Sequence, residues 1–342
     1  MKAMMLHKIV DLNKEKNPLC LEKTPDPIPD DHEIVIEVSA CGVCHTELDE
    51  IEGRTPPPVF PIIPGHQVVG YVADCGKHVK RFKNNDRVGV AWIYSSCGKC
   101  EYCLNGLDNL CTAFRATGRD AHGGYAEYMK IHEDFAYPIP EFFSDAEAAP
   151  LFCAGAIGYR SLNLTQIKNG ESLGLTGFGA SAHLVLKLSQ YMFPDTEIFV
   201  FARSENERDF AREIGASWAG DTGDRPPKQL QAIIDTTPVW KPVMAAMENL
   251  KPGGRLVINA IRKEDIDKEE LLSLQYPEHL WMEKEIKSVA NVAKKDVSEF
   301  LKIAAAAGIK PEFQLYGLHE ANQALIELKE RKIKGAKVLS LK

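Results

Sequence analysis

No run of apolar residues in the 342-residue chain approaches the length of a membrane span; the stretch Leu184 to Phe193 is broken by Lys187 and Gln190. No secretory leader is legible either. The apolar part of Met1 to Val10 is short and is followed by Asp11, Lys14, Glu15 and Lys16. Runs of lysine or arginine with interleaved aromatics are missing, and the formal charge of −7 comes from acids spread along the whole chain. Nucleic acid and anionic membrane are therefore not expected as partners. Internal repeats and low-complexity tracts are also lacking. These absences point to the cytoplasm. In that reducing compartment nine cysteines, an odd number, read as thiolate ligands and core thiols rather than as a disulfide framework.

What is present is an ordinary globular composition, 44% hydrophobic and 26% charged, over a length that suggests two domains. The first 150 or so residues carry short β-like runs, Glu33 to Val38 and Gln67 to Val72 among them, separated by Pro- and Gly-rich turns. From Gly170 the texture changes. Strand candidates Glu171–Thr176, Glu197–Ala202, Gln231–Asp235, Arg255–Ile261 and Ile286–Ala290 alternate with helical segments, the pattern of a parallel α/β sheet. Ser204 and Glu207 have the spacing of a capping box, with Gly215 where that helix would end. Asp221–Lys228 reads as a loop; two helices, Asp296–Ala307 and Glu320–Arg331, and a strand, Ala336–Leu341, complete the chain.

The most specific signal is Cys97-Gly-Lys-Cys100-Glu-Tyr-Cys103 followed by Cys111, in a segment where Gly98 and Gly106 permit tight turns. Four thiolates satisfy tetrahedral zinc and leave no open position, so this is a structural site. An iron–sulfur cluster fits less well, because the fourth cysteine comes late and Thr112 follows it where the ferredoxin run has proline.

Two further segments, Cys41-Gly42-Val43-Cys44-His45-Thr46-Glu47 and Pro64-Gly65-His66-Gln67, could supply ligands to a catalytic zinc, which typically takes three protein ligands and keeps a fourth position open. Together with the four-cysteine loop and Leu151-Phe152-Cys153-Ala154-Gly155, they resemble, in order along the chain, the successive signatures of medium-chain zinc alcohol dehydrogenases. The resemblance implies that Cys44, His66 and Cys153 are the catalytic zinc ligands, while Cys41 is not. Cys20, Cys41 and Cys75 are then expected as core thiols.

Gly177-Phe178-Gly179-Ala180-Ser181-Ala182 follows an expected strand and opens an expected helix, the context of a dinucleotide fingerprint. Gly177 would make the turn, Gly179 would admit the pyrophosphate, and Ala182 would allow close helix packing. At the end of the next strand, where NAD enzymes place an acid, the chain has Phe201-Ala202-Arg203-Ser204. Arg203 and Ser204 suit a 2′-phosphate, so NADP is expected in preference to NAD. The alternative leaves Arg203 solvated and gives the ribose to Glu205 or another acid.

The family likeness implies a fold of class α/β. A Rossmann-type doubly wound parallel sheet, residues 155–292, is inserted into an irregular, mostly-β, GroES-like catalytic domain, residues 1–154 and 293–342. It also implies two zinc ions per subunit, a homo-oligomer (dimer or tetramer), and hydride transfer between an alcohol and NADP or NAD, with the substrate oxygen on the catalytic zinc. Thr46 would pass the proton toward the cofactor ribose, His45 would touch the pyrophosphate, and Trp92 would line the substrate pocket. Three residues depart from the common pattern. Asp49 replaces a histidine that ends the proton relay, so either Asp49 takes over or protons leave by water. Glu47 replaces an aspartate that braces the zinc-bound histidine, and Gln67 replaces a glutamate that can approach zinc. A polyol or cinnamyl-type aldehyde reductase of the same superfamily would share these residues; a non-catalytic zinc-bearing scaffold would not need them.

Overall fold

Ile34, Val35, Ile36 and Val38 are all buried in the strand Glu33–Val43, so both of its faces are covered and it lies inside a sheet rather than at its edge. The structure is a computed structural model in which residues 1–330 and 335–341 are described. The chain divides into two units, Met1–Ala156 with Val292–Lys342, and Ile157–Asn291.

In the first unit the sheet runs in the order Phe313–Gly317, Ala336–Ser340, Glu33–Val43, Gln67–Cys75, Arg87–Val90 and Ala136–Pro138, with Tyr128–His132 also paired to Glu33–Val43. Ile34, Ile36, Val68, Val88, Tyr125 and Met129 anchor its core. Lys337, buried in the strand Ala336–Ser340, donates to Glu327 Oε2 at 2.7 Å and to the Tyr316 hydroxyl. A separate antiparallel pair, Lys2–Leu6 with Leu19–Lys23, forms the amino-terminal hairpin. Cys20 lies on its outer strand and is exposed, which corrects the expectation of a core thiol: a two-stranded sheet leaves one of its faces open to water. Cys41 is buried and Cys75 partly so.

The second unit is a six-stranded, wholly parallel sheet in the order Trp218–Gly220, Glu197–Phe201, Ser172–Thr176, Leu230–Asp235, Leu250–Ile258, Glu285–Ser288. In sequence order this is 3-2-1-4-5-6, the doubly wound arrangement that places a crevice where the winding reverses. Leu173, Leu175, Val200, Ile233, Ile234 and Val257 are buried, as strands covered on both faces require.

Most expected elements shift only at their ends. The helix Glu205–Glu213 ends before Gly215 at φ +99°, but the Ser204 side chain makes no cap bond, so the capping box is not formed. Arg208 instead ties that end down, donating to the carbonyls of Ala202 and Arg203 at 2.7 and 2.9 Å. The late helices are Lys294–Ala306 and Ala321–Lys329; Arg331, the expected end of the second, lies outside the described residues. Two short strands, Trp218–Gly220 and Phe313–Gly317, have no counterpart in the sequence pattern.

Candidate functional site

The strand Glu33–Val43 ends where the helix His45–Ile51 begins, and Cys44 is the residue between them, in extended backbone at the helix N-cap. Glu47 fastens this corner. One carboxylate oxygen accepts from the Cys44 amide at 2.8 Å, and the other lies 2.6 Å from His66 Nδ1. Both His66 and Glu47 are fully buried. His66 follows Gly65, whose φ of +98° favours glycine; a Cβ there would also stand 2.3 Å from the Tyr125 ring. Cys153 follows the 3-10 turn Ala149–Phe152, and its sulfur is 3.8 Å from that of Cys44.

These three residues therefore converge: Cys44 Sγ, a His66 ring nitrogen and Cys153 Sγ all lie within 4.8 Å of one another. Zinc bound tetrahedrally to two thiolates sets their sulfurs about 3.8 Å apart, which is the observed separation. With Nδ1 donating to Glu47, His66 turns a lone pair outward on Nε2. That atom is buried and has no partner among the described residues. An orphaned imidazole nitrogen beside two close sulfurs fits a metal ion and little else. A hydrogen bond from Cys153, aided by His66, holds the Cys44 thiol well below its ordinary pKa against the opposing effect of burial. The Cys44 sulfur in turn pushes Cys153 well up. Burial disfavours charge on His66, but Glu47 and the Cys44 sulfur outweigh it and raise the imidazole well above its ordinary range.

Around this centre, Thr46 is nearly buried with its hydroxyl 3.7 Å from Cys44 Sγ, whereas His45 is exposed. The Asp49 carboxylate receives the Arg54 guanidinium, which also holds Glu52 at 2.5 Å. Gln67 packs over Gly42, where an added Cβ would meet its amide oxygen at 2.7 Å. Trp92 is buried beside Phe114, ring centroids 5.1 Å apart, with Arg119 over its ring at 5.4 Å. Sequence reasoning missed Glu50, which is buried with neither oxygen hydrogen-bonded among the described residues. Burial and the charge of Glu47 push its carboxyl well above the usual range. Its spacing of three from Glu47, which puts both acids on one helical face, was the available signal.

The four-cysteine segment lies between Ile93–Ser95 and Arg115–Ala116, which pair with each other and close its base. Gly98 and Gly106 have φ of +68° and +67°, the turns that fold the sulfurs inward. Cys97 and Cys103 sulfurs are 3.9 Å apart, Cys100 and Cys103 3.5 Å, and all four lie within 4.8 Å of one another. These spacings also fit tetrahedral zinc. Amide donors, Lys99 first and then Cys100, bring the Cys97 thiol down to about 6, so it is readily a thiolate.

In the second unit Gly177 makes the turn after Ser172–Thr176 at φ +77°, and Gly179 is the N-cap of the helix Ala180–Met192. A Cβ at Gly177 would meet Thr236 and Thr237, whereas one at Gly179 meets nothing within 4 Å. The helix N-terminus thus opens onto free space, as an approaching phosphate requires. Ala182 is buried, Ala180 partly so, and Phe178 is buried with its ring edge-on to Phe210 at 5.8 Å. Asp235, fully buried at the end of its strand, pairs with Lys263, which also donates to the carbonyls of Thr237 and Val239 at 2.8 and 3.0 Å. Ala202 is buried, while Arg203 and Ser204 are exposed with no side-chain partner among the described residues. Glu205 is taken up by Arg208 and Arg212.

Residues 30–141 match the family described as the alcohol dehydrogenase GroES-like domain. The chain is 41% identical over 330 residues to the "Probable alcohol dehydrogenase AdhA" of Mycobacterium tuberculosis, covering 95% of this chain and 93% of that one. It is 32% identical over 340 residues to an alcohol dehydrogenase of Geobacillus stearothermophilus, covering 97% and 98%. Among solved structures, a cinnamyl alcohol dehydrogenase of Sorghum bicolor superposes with a TM-score of 0.82 at 25% identity, over 98% of this chain and 97% of that one.

Proposed function

We propose, for a chain that belongs to the medium-chain alcohol dehydrogenases, that it is zinc-dependent, prefers NADP, and interconverts an alcohol with its aldehyde or ketone. The observation that carries the zinc reading is the convergence of Cys44, Cys153 and the orphaned Nε2 of His66. Those three residues would hold a catalytic zinc, and Cys97, Cys100, Cys103 and Cys111 a structural one. When bound, zinc supplies Lewis acidity that favours alkoxide over alcohol near neutral pH, and the nicotinamide takes or gives the hydride.

The chain's own residues set the geometry for this. Glu47 fixes the tautomer and orientation of His66, and through the Cys44 amide it holds the first thiolate at the same corner. The Thr46 hydroxyl would take the proton from the substrate hydroxyl, a role supported by its 3.7 Å distance from Cys44 Sγ. Asp49 is already engaged by Arg54, which favours exit of that proton through water rather than through Asp49. Trp92, its ring packed beside Phe114, would offer an apolar face to the substrate.

Arg203 and Ser204 support the NADP preference, because both are exposed and unengaged while Glu205, the acid next in sequence, is engaged by two arginines. Removing one charge-assisted contact costs about 1.5–3 kcal/mol, so Arg203→Ala lowers kcat/KM for NADP by about 10- to 100-fold and leaves NAD nearly unchanged. Steady-state rates with both cofactors check this. A wild-type preference for NAD contradicts it.

A homo-oligomer is the assembly this reading favours. The strand Glu285–Ser288 is an edge of the parallel sheet, exposed at all four residues, with Trp281 and Met282 just before it also exposed. Light scattering that returns a monomer mass overturns this assembly. Among the described residues no helix is long and apolar enough to cross a membrane. A thiolate-based zinc site fits a reducing cytoplasm.

A further inference from the structure

Two residues on one strand and one just past the end of its neighbour place three unlike metal-binding groups together on the amino-terminal hairpin. In the pair Lys2–Leu6 and Leu19–Lys23, Met5 lies opposite Cys20 and Ala3 opposite Glu22. Cys20 and Glu22, two apart, project from the same face of their strand. His7 follows the last residue of the other strand and turns back over that face, its Nε2 2.6 Å from Glu22 Oε1. The Cys20 sulfur, a His7 nitrogen and a Glu22 oxygen all lie within 4.8 Å of one another, the same closeness that defines the two thiolate sites above.

We propose that His7, Cys20 and Glu22 form a third, exchangeable metal site for a divalent transition cation such as Zn2+. The donor set of one imidazole, one thiolate and one carboxylate suits Zn2+, Co2+ or Ni2+ and disfavours Mg2+ and Ca2+, which take oxygen donors. Ligands on a tetrahedral ion stand about 3.3–3.8 Å apart, so only small rotations of exposed side chains are needed to close on the metal. Three ligands facing water leave a fourth position to solvent. The site therefore exchanges its ion, unlike the closed four-cysteine loop. Bound metal clips the end of one strand to the other, and it masks a thiol that otherwise faces solvent.

The test uses the zinc-loaded protein, with added Zn2+ and native mass spectrometry to count ions per chain. The wild type is expected to take up one more ion than Cys20→Ser or His7→Ala, with specific activity equal in all three. A second reading is the rate at which iodoacetamide alkylates Cys20. Zn2+ is expected to slow it about tenfold in the wild type and far less in Glu22→Gln, since loss of one ligand weakens binding by an order of magnitude or more. The count is a difference between wild type and variants, so it stands whether the other sites hold two ions or fewer. Equal counts in wild type and Cys20→Ser, or an alkylation rate indifferent to Zn2+, overturn the proposal.

Discussion

Glu47 is one methylene longer than the aspartate usual at its place, and that reach lets its two oxygens serve two partners, the Cys44 amide and His66 Nδ1. A glutamine could keep one of these bonds but could not carry the charge that sets the imidazole tautomer. Glu47→Gln is therefore expected to weaken zinc at the Cys44 site by about 10- to 100-fold while the four-cysteine loop keeps its ion. Chelator competition, followed by the release of zinc, measures this directly; loss of both ions together would mean that the substitution unfolds the unit. At this scale the sequence was partly readable. The spacing of Cys97, Cys100, Cys103 and Cys111 needs no fold to be recognised, because short turns bring them together. Cys44, His66 and Cys153 converge only through a strand end, a glycine corner and a 3-10 turn, so only the order of their motifs marked them. The engagement of Asp49 by Arg54 and the burial of Glu50 depend on side-chain packing that no spacing encodes.

Among elements, the glycine turn makes the sharpest separation between folding and binding. The backbone at Gly179 has φ −95°, open to any residue, and a Cβ there meets nothing. Gly179→Val should thus change stability by less than about 1 kcal/mol while it blocks the approach of the cofactor phosphates. Thermal unfolding and NADP titration, run on the same sample, check both halves. The pair of Glu327 and buried Lys337 gives a pH signature of the sheet that carries Cys44. Lys337, with help from Tyr316, brings the Glu327 carboxyl down to about 2. An acid more acidic in the folded state stabilises it above the unfolded value of about 4.3, and that contribution fades as pH falls toward 2. Glu327→Gln should flatten this acid limb in urea midpoints taken from pH 6 to 2. It should also cost about 2 kcal/mol at pH 7, because a buried lysine loses its counter-charge. The inner parallel strands Glu197–Phe201 and Leu230–Asp235 were legible because burial on both faces makes them nearly continuous apolar runs, which the exposed edge strand Glu285–Ser288 is not. Trp218–Gly220, at three residues, is too short to show a period, and Phe313–Gly317 has only one buried residue, so neither stood out.

At the scale of the molecule, two side-chain groups that could hold a metal ion, Cys44 with His66 and Cys153 and the four cysteines from Cys97 to Cys111, lie in one unit, and the glycine turn Gly177–Gly179 lies in the other. Four thiolates on one zinc ion would fill every ligand position and offer none to a substrate. The chemistry is assigned instead to Cys44, His66 and Cys153. The measurement that tests this most directly is zinc content per chain together with alcohol-dependent NADP reduction, for the wild type and for Cys44→Ala. The expected result, once exchangeable metal has been removed, is two tightly held zinc ions falling to one, with activity lost and the unfolding temperature little changed. One zinc ion in the active wild type, or alcohol oxidation that survives in Cys44→Ala, would contradict it.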